Sequence, residues 1–182
     1  LLAVETLGSV NTICTDKTGT ITENQMTLSK IFLNDQEIEI SGTGYKPEGD
    51  FSAAGSKIDL SQAEDLKLVL KASMLCTSAE LTKEDEQYKV LGEATEGALL
   101  IAGRKAGFSK KSLQEEGYKK LDEIPFSSEN MYMAVSYSTP EDKNHLYLKG
   151  SPGVVLEMCN SILIDGEIKE LTEDKKEEIK NK

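Results

Sequence analysis

Three times along the chain, two short alternating runs are separated by a tight polar turn, and this arrangement restricts the fold more than any other feature. Residues 28–33 and 36–40 flank Asn34 and Asp35, and the second run places Ile38 and Ile40 on one face with Glu37 and Glu39 on the other. Side chains alternate across a strand, so this pattern predicts a half-exposed strand, and the Asn-Asp pair predicts a hairpin. Residues 132–138 alternate in the same way, with Met133, Val135 and Tyr137 on one face; a turn over 140–144 returns the chain through 145–148. The third hairpin, 162–168, turns at Asp165 and Gly166.

Helical periods fill the intervals. Ser61 and Glu64 have capping-box spacing and predict a helix reaching Cys76. Its apolar face would carry Leu66, Val69, Leu70 and Ser73, widened by Leu68, Ala72 and Leu75. Further helices are predicted over 98–102 and onward to Gly107, over 109–117, over 154–159 with Pro152 in the first turn, and after Thr172. Residues 10–14 are a short apolar strand candidate, and 88–91 another. Residues 41–55, with four glycines and one proline, read as an irregular surface connection, and 82–87 as a polar loop. Pro125 has no N–H to give a ladder and suits a strand end. Hairpins interleaved with helices predict an α+β fold, an antiparallel β-sheet flanked by helices.

Composition narrows the function. With 32 acidic and 21 basic residues the net charge is −11, which argues against a nucleic-acid partner. Any site for a phosphorylated ligand must therefore have local positive charge, a Mg²⁺ ion or backbone donors to overcome the general field. Cys14, Cys76 and Cys159 have no CxxC spacing and there is one histidine, His145, so neither a zinc site nor a disulfide framework is expected. The cysteines read as small buried apolar residues, and the histidine as a surface or a satisfied one. No window of the sequence approaches the length of a bilayer-spanning apolar helix.

Two polar clusters suggest chemistry. In the first, Asp16, Lys17, Thr18, Gly19 and Thr20 follow the apolar run: one carboxylate as candidate nucleophile, a cation to face phosphate, hydroxyls, and a glycine that frees the main chain to turn N–H groups towards an anion. In the second, Glu93, Thr95 and Glu96 precede an apolar helix, where acids stabilise the N-terminus and could equally serve a ligand.

The run VNTICTDKTGTITENQMT closely resembles the phosphorylation motif of the P-type cation-transporting ATPases. GEATEGAL, PFSS and KGSP resemble signature segments of that family's nucleotide-binding domain and stand in the family's order; LCTSAEL resembles a further one. The likeness covers nearly the whole chain and is nearest to the type II pumps, which include calcium transporters. It implies two parts: residues 1–27 as a strand-loop piece of the phosphorylation domain, and 28–182 as the nucleotide-binding domain, stopping short of the family's C-terminal end.

The resemblance also implies roles. ATP would be the substrate, with Mg²⁺ as its companion ion. Asp16, Lys17 and Thr18 would be catalytic, with Asp16 accepting the phosphoryl group and Asp16 and Thr18 contacting the metal. Phe126 would stack on adenine, Glu96 would accept from its exocyclic amine directly or through water, Lys149 would meet the nucleotide's charge, and Gly150 would allow close backbone approach. Thr95, Ser127 and Ser128 are further polar candidates. After PFSS the calcium pumps usually carry bases, whereas residues 128–132 here read SENMY, which predicts modest affinity. The implied partners are the transmembrane, actuator and remaining phosphorylation domains of one parent chain, which would make this a cytosolic part of an integral membrane protein. Two rivals remain at this stage. A haloacid-dehalogenase-type phosphatase would usually place a second acid where Thr18 stands. A non-catalytic module docking through its acidic surface would bind no nucleotide.

Overall fold

The computed structural model describes residue 8, residues 10–85 and residues 87–182. A four-stranded meander comes first: β1 (Lys30–Leu33), β2 (Gln36–Ile40), β3 (Phe51–Ala53) and β4 (Ser56–Lys57), each pairing antiparallel with the next. Helix α1 (Glu64–Leu75) leads to the hairpin β5 (Glu80–Glu84) and β6 (Gln87–Leu91), then to α2 (Ala94–Lys105) and α3 (Lys110–Glu115). A three-stranded sheet follows, β7 (Lys119–Ile124), β8 (Tyr132–Ser138) and β9 (Asn144–Gly150), with β8 central. Helix α4 (Pro152–Met158), the hairpin β10 (Ser161–Ile164) and β11 (Glu167–Glu170), and helix α5 (Glu173–Lys180) complete it. The fold is α+β; among the described residues every strand pairing is antiparallel and the strands are distributed over four sheets.

Helix α1 is the spine. Its Leu66 and Leu70 pack with Ile38, Ile40 and Phe51 of the meander and with Ala102 of α2. One turn on, Met74 and Leu75 join Ala79, Leu100 and Leu113. Cys76, just past the helix, meets Met133 and Val135 of the central strand β8. One apolar stripe thus holds two sheets in a fixed relation. The helices α1 and α2 cross closely at Gly103, where a Cβ would lie 2.7 Å from the Met74 methyl.

The three predicted hairpins form as expected. Asn34 and Asp35 both have positive φ (50° and 56°), as do Asp165 and Gly166 (52° and 78°), the conformation of the two-residue turns that match strand twist. β7 ends at Ile124, immediately before Pro125, and Pro152 opens α4.

Other expectations fail for local reasons. Residues 10–14 form no strand; Ile13 is 74% exposed, and no partner among the described residues takes up their backbone groups. Residues 41–55 are not wholly irregular, because Phe51 is buried opposite Ile40 and draws β3 into the meander. Residues 82–87 are no polar loop: Thr82 to Glu84 belong to β5, and the turn falls at Asp85, with φ of 46°. The Ser61–Glu64 capping box does not form, since the Ser61 N–H donates to Asp59 Oδ1 at 2.9 Å and the helix begins at Glu64 without a side-chain cap. Reciprocal capping occurs instead at α3, between Ser109 and Ser112. On α1, Leu68 is 45% exposed and Val69 and Ser73 are only half-buried, because the buried stripe runs through Leu66, Leu70 and Met74. Cys76 is buried, but Cys14 is exposed and Cys159 half-buried.

Candidate functional site

The N-terminus of α2, the segment after α1 and the ends of β7 and β9 surround a cleft of about 710 Å³. Its walls include Ser78, Thr95, Glu96, Leu99, Met133 and Lys149, with Phe126 and Gly150 at the rim. Antiparallel register explains the convergence: Met133 of β8 lies opposite Lys149 of β9, and Tyr132 opposite Gly150. Phe126 follows Pro125 beyond the end of β7 and is 62% exposed. An aromatic ring of that size left in solvent beside a cleft that also presents Leu99 and Met133 is available to a flat partner.

Glu96 is the electrostatic centre. It is only 7% exposed, yet its carboxylate is saturated with donors. Oε2 accepts from Ser78 Oγ at 2.7 Å, from the Ser78 N–H at 3.0 Å and from the Ala79 N–H at 3.1 Å. Oε1 accepts from Lys149 Nζ at 2.7 Å. Burial by itself would push this carboxyl up, but the hydrogen bonds from Lys149 and Ser78 overcome that and hold it at about 2. A buried carboxylate without such partners would be costly; with them it fixes three segments to one another. Although Glu96 stands in the first turn of α2, it is not simply a cap, because its bonds leave the helix.

Sequence-predicted positions divide into two groups. Glu96, Thr95, Phe126, Lys149 and Gly150 all line the one cleft. Ser128 does not line it, and Ser127 is committed to its own turn, accepting from the Asn130 and Met131 N–H groups. A Cβ at Gly150 would come within 2.5 Å of the Met131 carbonyl, so close packing of strand backbone already requires a glycine there. Asp16, Lys17 and Thr18 are exposed on a separate loop, where the Lys17 carbonyl accepts from the Ile21 and Thr22 N–H groups and Gly19 turns with φ of 77°. None of the three lines the cleft.

Ser78 is the residue that reading the sequence missed. LCTSAEL marked its segment, but only the tertiary approach of that segment to α2 reveals the contact with Glu96. As for a metal, no three His, Cys, Asp or Glu side chains come together in a cation-holding group among the described residues. One carboxylate and one hydroxyl, Asp16 and Thr18, do not fill the octahedral shell of Mg²⁺; phosphate, water or further carboxylates would have to complete it.

Residues 65–182 match the family model described as P-type ATPase, cytoplasmic domain N. The chain is 40% identical to a cation-transporting ATPase of Synechocystis sp., over 96% of this chain and 20% of that one. It is 36% identical to a calcium-transporting ATPase of Bacillus subtilis, over 98% and 20%. It is 39% identical to a sodium/potassium-transporting ATPase alpha-A subunit of Artemia franciscana, over 91% and 16%. The chain therefore spans about a fifth of the length of these relatives. By family model and by relatives alike, it belongs to the P-type ATPases.

Proposed function

We propose that this chain is the ATP-binding portion of a P-type cation pump, with adenine held in the cleft between Phe126 and the Glu96–Lys149 pair. The observation that carries the reading is the exposed Phe126 ring beside a cleft floored by a buried, donor-saturated carboxylate and its lysine. Stacking recognises a flat base through its face, and Lys149 places positive charge where an otherwise acidic molecule meets a polyanion. Thr95 and the Gly150 backbone complete the polar rim. Ser128 belongs to the same proposal only as an outer contact.

In the parent pump, Asp16 is the phosphoryl acceptor. Its Oδ forms the new bond to the γ-phosphorus as the bond from that phosphorus to the bridging oxygen breaks and ADP leaves. Lys17 and Thr18 stand beside the incoming oxygens, and Mg²⁺ bound there would supply charge neutralisation. Residues 1–27 are the piece that carries this loop and 28–182 the piece that binds nucleotide. Cation transport then proceeds through transmembrane, actuator and remaining phosphorylation domains of the same chain, with this part on the cytosolic side. Calcium is the proposed cargo, which a relative named as a calcium transporter supports. By itself this chain binds nucleotide without turning it over.

Titration with ATP and with AMP, followed by NMR at Phe126 and Glu96, tests the reading. Shifts at both residues with either nucleotide are expected. No response there at millimolar ATP would overturn it and leave the acidic docking module.

A further inference from the structure

We propose that Ser78 and Lys110 are positioning residues of the nucleotide cleft, holding Glu96 in place through the peptide that joins Thr77 to Ser78. This inference rests on the nucleotide reading above. Lys110, on α3, lies outside the cleft and helps line a neighbouring one with Arg104 and Tyr88. Its Nζ donates to the Thr77 carbonyl at 2.8 Å and to the Ala79 carbonyl at 2.9 Å. In a trans peptide the carbonyl and the N–H point in opposite directions. The Thr77 carbonyl and the Ser78 N–H belong to one such unit, so Lys110 grips one edge while Glu96 Oε2 grips the other.

The consequence is a continuous polar relay: Lys110, the 77–79 backbone with the Ser78 hydroxyl, Glu96, then Lys149. Three donors from the 77–79 segment fasten Oε2, so only the Oε1 edge faces Lys149 and the cleft. If those donors were lost, the carboxylate would be free to rotate and Lys149 would lose its fixed partner. Glu96 is only 7% exposed, so a donor lost from the 77–79 segment leaves a largely buried carboxylate with fewer partners.

The test measures Glu96 directly. Carbon-detected NMR of its carboxyl is followed against pH in the wild type, Ser78→Ala, Ser78→Thr and Lys110→Met, with ATP affinity measured on each. In the wild type the hydrogen bonds from Lys149 and Ser78 hold the carboxyl at about 2. The expected result is an upward shift of roughly one pH unit in Ser78→Ala and a smaller one in Lys110→Met. ATP affinity should fall about tenfold in Ser78→Ala, while Ser78→Thr keeps both quantities near the wild type. A role in folding alone would not move the Glu96 midpoint. If Ser78→Ala fails to fold, the Glu96 titration in Lys110→Met decides the matter. Unchanged Glu96 titration in Lys110→Met, and in Ser78→Ala where it folds, would overturn the relay. A wild type that ignores ATP would instead overturn the nucleotide reading, with the Glu96 titration still reporting on the relay.

Discussion

At the scale of single residues, Glu96 and Phe126 have opposite environments and so predict opposite phenotypes. Glu96 has its folded-state carboxyl held at about 2, below the ordinary 4.5. A carboxyl depressed on folding adds stability that is fully present above its unfolded value and is lost as pH falls towards the folded one. Urea midpoints should therefore hold from neutral pH to about 4.5 and then fall, and the wild type should lose its advantage over Glu96→Gln within that acid window. The difference between the two proteins isolates Glu96 from exposed acids such as Glu84 and Glu141, which are also held low by hydrogen bonds from lysines. Phe126 is mostly in solvent, so Phe126→Ala should leave the melting temperature within the range of an ordinary surface change. Its cost should fall on ATP affinity, at ~1–3 kcal/mol by calorimetric titration, since a stacking face is what it offers. Equal losses of stability and affinity in Phe126→Ala would mean the ring is a packing group.

At the scale of elements, the position of α2 decides where Glu96 points. Gly97 follows it directly, and a Cβ there would lie 2.6 Å from Val90 Cγ1 on β6. Gly97→Ala should push α2 off the β5–β6 hairpin, costing ~1–3 kcal/mol by overpacking and weakening ATP binding with it. Val90→Ala in the same chain should recover much of both, a rescue that a double-mutant cycle would measure. Such packing is what the sequence could not display. The hairpins at Asn34 and Asp165 were readable because alternation and turn chemistry are local, and the Pro125 strand end was readable for the same reason. Strand β3 was not, because its one large apolar residue, Phe51, sits among glycines and gains its meaning only opposite Ile40. The start of α1 was misread because Asp59 captures the N–H of the residue expected to cap. At the site, the resemblance led to Glu96, Phe126 and Lys149, whereas Ser78 reaches Glu96 from 18 residues away and carries no mark of its own.

At the scale of the whole molecule, the proposed phosphoryl acceptor and the proposed nucleotide cleft are separate. Asp16 is exposed on a loop outside the cleft, and no cation-holding group of side chains exists among the described residues. Phosphoryl transfer demands in-line positioning as well as neutralisation of charge on the transferring oxygens, and an exposed loop outside the cleft, even with Lys17 beside Asp16, does not provide the positioning. In the proposed reading nucleotide binding depends on the cleft alone, so the two properties should separate experimentally. With ATP and Mg²⁺, this chain should show the NMR response at Phe126 and Glu96 yet trap no aspartyl-phosphate in acid. The parent pump should trap it, and lose it in Asp16→Asn while nucleotide binding persists. Phosphorylation of the isolated chain at Asp16 would show that the loop reaches the cleft by itself, and that the other domains of the pump serve transport more than transfer.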